Sequence, residues 1–96
     1  MRRASNIDLN HVQIVQVLRQ AGATVASLAA VGKGVPDLLV GYQGRNFLME
    51  VKRLRGKLNP TAKLTADQEK FFREWNGRVY VVTSPEQALE ILGEAA

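Results

Sequence analysis

The 96-residue chain contains no cysteine, which excludes disulfides, thiolate metal sites and a cysteine nucleophile. That absence fits a cytosolic origin without requiring one. A single histidine, His11, is too few for a histidine-based metal centre and reads as an exposed helix residue. No apolar run approaches the length needed to span a bilayer. Met1-Arg2-Arg3 is basic but leads into a polar stretch, not into the apolar core of a signal peptide. The expectation is a soluble cytoplasmic protein with no membrane partner and no organic cofactor. Proline is scarce, and its three occurrences punctuate the chain at Pro36, Pro60 and Pro85.

What is present fits one globular domain over residues 1–96. Hydrophobic residues make up 46% of the sequence, so disorder is not the default. The net charge of +4 makes a polyanion a plausible partner, and the distribution of charge sharpens that reading. Lys52, Arg53, Arg55, Lys57 and Lys63 fall within twelve residues with no acidic residue among them. Arg2 and Arg3 form a second basic spot in a segment, residues 1–6, expected to be flexible.

Ser5 can cap a first helix, with Asp8 in the capping-box position; Asp8 or Asn10 could start it instead. Ile7, Val12, Ile14, Val15, Leu18 and Ala21 give it an apolar face, and Gly22 is placed to end it. Thr24 to Val31 reads as a strand broken by Gly32-Lys33-Gly34. Pro36 belongs at a strand entrance, because it has no N–H to give a ladder. Leu38 to Tyr42 and Phe47 to Arg53 are two further strands around a turn at Gln43–Asn46, and the run Leu38-Leu39-Val40 implies burial on both faces. Residues 54–64 carry no period and read as a mobile basic loop. Thr65 and Gln68 form a capping box that opens a helix burying Phe71, Phe72 and Trp75. Arg78 to Thr83 is a strand, and Ser84-Pro85 starts a last helix. The fold class is α/β: a small mixed sheet flanked by helices in the order α-β-β-β-α-β-α. The β-α-β unit should make its two strands parallel and its crossover right-handed.

Within this plan Asp37, Glu50 and Lys52 stand out. Strand interiors are depleted in charge, and buried charges cost free energy unless paired or bound to metal. If Gly44-Arg45 is the hairpin loop, Gln43 pairs with Asn46 and Asp37 lies opposite Lys52. Asp37, Glu50 and Lys52 then project from one face at one end of the hairpin. Two carboxylates can hold a hard cation such as Mg²⁺ or Mn²⁺, with the Val51 carbonyl a further ligand between them. A lysine roughly 7 Å along the same face could orient water or stabilise charge developing on a phosphoryl group. Metal-assisted phosphodiester hydrolysis follows, with the basic loop on the nucleic-acid backbone.

Pro36-Asp37 followed thirteen residues later by Glu50-Val51-Lys52 matches the signature of the PD-(D/E)XK nuclease superfamily. The wider pattern resembles its virus-type replication–repair (VRR-NUC) branch, especially the small stand-alone phage and prophage members. The resemblance rests on a leading helix, Gly34 to Val40, Glu50 to Lys52, Leu64-Thr65 with Gln68, and Val81 to Ser84 before a closing helix. It covers about residues 8 to 92. It implies a restriction-endonuclease-like core and a divalent-metal-dependent DNA endonuclease in a bacterial or phage-infected cell. By match, Asp37 and Glu50 would be metal ligands, Lys52 the catalytic lysine, and Gln68 a glutamine near the active site. Small members resemble junction resolvases, so a homodimer acting on branched or four-way junction DNA is expected. The family often places an acid on the first helix; the matching position here is Gln13, an amide, which puts in doubt a second metal ion or strong metal binding without Asp8 or a substrate phosphate.

Blander readings stand beside these. The capping box with Thr65 accounts for Gln68 equally well, and the two roles are compatible. Lys33 is a candidate phosphate contact, and Arg53, Arg55, Lys57 and Lys63 are candidate nucleic-acid contacts, although such clusters are often solvated loops. A catalytically weak or inactive nucleic-acid-binding module of the same fold and an RNA-directed nuclease are the alternatives.

Overall fold

The structure, a computed structural model, describes residues 9–53 and 64–95. Helix α1 (Leu9–Gln20) precedes three strands, β1 (Thr24–Ser27), β2 (Leu38–Tyr42) and β3 (Arg45–Val51). Helix α2 (Ala66–Glu74), β4 (Val79–Val82) and α3 (Pro85–Ala95) complete the expected α-β-β-β-α-β-α order. The expected cap Ser5, residue Asp8 and the basic residues Arg55, Lys57 and Lys63 lie outside the described residues. Among the described residues, no helix is long and apolar enough to cross a membrane.

The strands form one sheet in the order β1-β2-β3-β4, antiparallel except for β3 and β4, which run parallel as their helical connection requires. One face buries Leu38, Val40, Phe47, Met49, Val51 and Val82 in a cluster with Ile14 and Leu18 of α1 and Ala88 and Leu92 of α3. Those helical positions are four residues apart, so each helix offers one stripe to the sheet. The chain after α1 turns at Gly22, whose φ of +100° lies in the left-handed region that glycine adopts without strain.

The hairpin register differs from the expectation. Tyr42 pairs with Arg45, and the two-residue loop is Gln43-Gly44. Both loop residues have positive φ, 52° and 80°, the condition for a type I′ turn whose twist matches that of the flanking strands. Leu38 consequently pairs with Met49, and one further step along the ladder brings Asp37 beside Glu50, not Lys52. The slip is two residues, so every side chain keeps its face.

Strand β1 also stops early, at Ser27, not Val31. The Ser27 hydroxyl accepts the Ala29 amide, a local turn that competes with the ladder. Leu39 is 37% exposed, so the apolar run of β2 is not buried on both faces. The cause is α2, which lies over the second face without burying any of its own residues. Phe71 and Trp75 stack on each other, ring centroids 5.1 Å apart, and Trp75 remains 48% exposed. The expected burial of Phe71, Phe72 and Trp75 is thus only partial.

Candidate active site

Asp37, Glu50, Lys52 and Gln68 meet at one end of this second face. Pro36, fully buried, delivers Asp37 to the start of β2, where the Asp37 carbonyl accepts the Leu28 amide at 2.7 Å. The Asp37 carboxylate then crosses to β3: its Oδ2 accepts the Val51 amide at 2.9 Å. Asp37 therefore sits beside Glu50 through a backbone bond as well as through the register.

Glu50 lies on an inner strand and is only 3% exposed. Its Oε2 accepts the Gln68 amide nitrogen at 2.7 Å and lies 3.8 Å from Lys52 Nζ. Among the described residues its Oε1 is buried without a hydrogen-bond partner. A buried acceptor left in this state costs free energy, which a proton, a water or a cation relieves. Burial, and then the nearby Asp37 carboxylate, push the Glu50 carboxyl up from an ordinary 4.5 to about 7, against the opposing pull of Lys52.

Lys52 follows β3, with its amide bonded to the Val82 carbonyl at 2.9 Å. Its side chain is 18% exposed and donates from Nζ to Gln68 Oε1 at 2.6 Å. Gln68 thus bridges the two charged groups, donating to Glu50 and accepting from Lys52. The same Oε1 accepts the Thr65 amide at 2.9 Å while Thr65 Oγ1 accepts the Gln68 amide at 3.2 Å. The capping box is complete. Helix capping and site bridging are therefore one arrangement of one side chain.

The remaining candidate positions divide. Arg53 is exposed immediately after Lys52, and Lys33 is exposed in the β1–β2 connection, with a left-handed φ of 58°. Gln13 is exposed on α1 and joins none of the hydrogen bonds of the site among the described residues. The residue of α1 that does reach this end of the sheet is Asn10, one turn earlier. Its Nδ2 donates to the carbonyls of Lys52 at 3.2 Å and Thr83 at 3.0 Å, tying α1 to the ends of β3 and β4. Helical spacing alone places Asn10 and Gln13 on neighbouring positions of one face and does not choose between them.

The donor set can be tested against a divalent cation. Two carboxylates at adjacent strand positions, one with an unpartnered buried oxygen, suit a hard oxygen-seeking ion. A third protein acid is missing: among the described residues no group of three or more His, Cys, Asp or Glu side chains is arranged to hold a metal. A site of this kind suits an ion that keeps several waters and shares the oxygens of a substrate phosphate. Comparison with protein-family models, curated proteins and solved structures finds no match to this chain.

Proposed function

We propose that the chain is a divalent-metal-dependent DNA endonuclease of the PD-(D/E)XK type, resembling small VRR-NUC proteins, and that it hydrolyses phosphodiester bonds in branched or four-way junction DNA as a homodimer. The observation that carries this reading is Glu50: a carboxylate buried beside Asp37, with one oxygen unpartnered and the other fixed by Gln68. Burying an acid next to another acid is unfavourable unless a cation or a proton compensates it.

Asp37 and Glu50 would hold Mg²⁺ or Mn²⁺, with the Val51 carbonyl as a possible third protein ligand. Such an ion, when bound, polarises a phosphate oxygen and lowers the pKa of water. The chain itself supplies the rest. Lys52 offers a cation whose Nζ is held at 2.6 Å by Gln68, limiting the freedom of a long side chain. An ammonium restrained in this way can stabilise negative charge growing on the phosphoryl oxygens with little reorganisation. Gln68 orients both Lys52 and Glu50. Lys33 and Arg53 are exposed, and with Arg55, Lys57 and Lys63 they carry charge that would neutralise backbone phosphates.

Among the described residues no third acid joins Asp37 and Glu50, and Gln13 is an amide, which favours a second reading, a nucleic-acid-binding module of the same fold with weak or no catalysis. Incubating labelled plasmid, a four-way DNA junction and a matched RNA with Mg²⁺, Mn²⁺ or EDTA separates the readings. Metal-dependent DNA cleavage supports the endonuclease. Binding without cleavage supports the module, and preferential RNA cleavage redirects the substrate assignment.

A further inference from the structure

Helix α2 carries Gln68 into the site, yet none of its residues is buried. An open groove of about 510 Å³, lined by Leu39, Leu48, Phe71 and Trp75 among others, runs between its aromatic ridge and the sheet. Apolar packing along the helix is therefore partial, with Phe71 and Phe72 half-buried and Trp75 exposed. The first turn is held in three ways. Thr65 and Gln68 close the capping box, and Gln68 bonds to Lys52 and Glu50. The backbone of Asp67 and Gln68 also rests directly on Gly34, in the connection between β1 and β2.

Gly34 has a left-handed φ of +80°, and a Cβ added there would overlap the Asp67 carbonyl and stand 2.9 Å from the Gln68 nitrogen. Gly32, two residues earlier, also has a left-handed φ, +71°, but a Cβ there would meet nothing within 4 Å. The connection thus needs left-handed backbone at both glycines and close approach at only one. That contrast separates backbone strain from contact with α2.

We propose that Gly34 is a positioning residue, whose bare backbone seats the first turn of α2 and thereby sets the Gln68 amide between Lys52 and Glu50. Gly34 acts through Gln68 and touches no reacting group. Its effect on cleavage rests on the nuclease reading; its effect on Gln68 does not.

The test compares Gly34→Ala with Gly32→Ala in the full chain. Nuclear magnetic resonance reads the Gln68 side-chain amide and the hydrogen exchange of its backbone N–H. Cleavage of a labelled four-way junction in Mg²⁺ reads activity. Both variants lose some melting temperature from strain at positive φ, but Gly32→Ala keeps the Gln68 resonances and wild-type cleavage. Gly34→Ala shifts those resonances and speeds exchange at Gln68, while β2 and β3 amides keep their protection. Its kcat falls about tenfold with KM changed less than about twofold, the pattern of a contact made in the transition state. Adding Gly34→Ala to Gln68→Ala lowers kcat by less than about twofold more, because the two act through one group. The proposal is overturned by unshifted Gln68 resonances in folded Gly34→Ala, by equal damage from Gly32→Ala, or by additive losses in the double variant. It is also overturned if Gly34→Ala unfolds while Gly32→Ala does not, since Gly34 would then be required for the fold itself. A wild-type chain that cleaves nothing would end the nuclease reading, while the Gln68 resonances would still decide the role of Gly34.

Discussion

One face of the sheet joins Leu38, Val40, Met49 and Val82 to Ile14, Leu18, Ala88 and Leu92 in a buried apolar cluster, with a groove of about 700 Å³ between α1 and β1 at its edge. The other carries Asp37, Glu50, Lys52 and Leu39 beneath a helix that buries none of its own residues. The strands serve both faces at once, because their side chains alternate. The contrast teaches where stability and chemistry reside. The first face gives the sheet its apolar core. The open face can then hold two acids and a lysine in place without contributing much to folding, and its cost is tolerated because the first face offsets it.

The largest effect should come from the acids. Asp37→Ala or Glu50→Ala should lower metal-dependent cleavage by at least about a thousandfold, the scale expected when electrostatic support of the reacting phosphoryl group is lost. Melting temperature should stay within a few degrees of wild type or rise for Glu50→Ala, which removes a buried carboxylate. Wild-type cutting by either variant would remove the open face from catalysis altogether. Lys52→Ala should reduce turnover with much less effect on DNA binding, measured by anisotropy alongside cleavage.

Next come neighbouring residues of β2 that look alike in sequence. Leu38→Ala should destabilise the fold by about 2–5 kcal/mol, as for other fully buried leucines. Leu39→Ala, on the open face and 37% exposed, should cost well under half as much. Urea titration of both variants checks this. Equal losses would mean that α2 covers Leu39 more closely than its 37% exposure indicates.

Much of the second face is legible in the sequence. Glu50 and Lys52 are two residues apart and the register slip is two residues, so Asp37 stays on their face. Gln68 is legible as a capping residue, and the same side-chain amide also bonds to Lys52 and Glu50. What was not legible depends on long-range placement. Asn10 bonds to carbonyls 42 and 73 residues away, and no local pattern marks it over Gln13. Gly34 reads as a loop breaker, while its contact with Asp67 belongs to tertiary structure. The aromatic spacing of α2 signalled a buried stripe, but amphipathicity says only which side faces inward, not how closely that side is packed.

A smaller effect follows from Glu50 and its pKa near 7. This value lies above the ordinary 4.5, so the folded chain binds the proton more tightly than the unfolded chain. The resulting stabilisation is full below about pH 4.5 and is lost progressively as pH rises through 7. In metal-free buffer it amounts to on the order of 3 kcal/mol between those limits. Glu50→Gln should flatten this part of the stability–pH curve and melt higher than wild type at pH 8. Added Mg²⁺ should raise the wild-type melting temperature more at pH 8 than at pH 6, because the ligand must lose its proton to bind. A Glu50→Gln curve parallel to wild type would place the buried proton elsewhere.

The smallest effect tests the asymmetry from its weakest side. Trp75 is the largest aromatic side chain over the open face, yet it is 48% exposed and its stacking partner is Phe71 of its own helix. A stacked pair of this kind contributes about 0.5–1.5 kcal/mol beyond area burial. Trp75→Ala should therefore destabilise the chain by about 2 kcal/mol, from the covered half of its area and the stacking together, whereas truncating a buried tryptophan costs about 3–5 kcal/mol. Urea denaturation followed by circular dichroism, which does not depend on the tryptophan signal, makes the measurement. A loss in the core range would mean that Trp75 is covered in solution. The open face would then be closed over its aromatic ridge, and the difference between the two faces would narrow to the charged end alone.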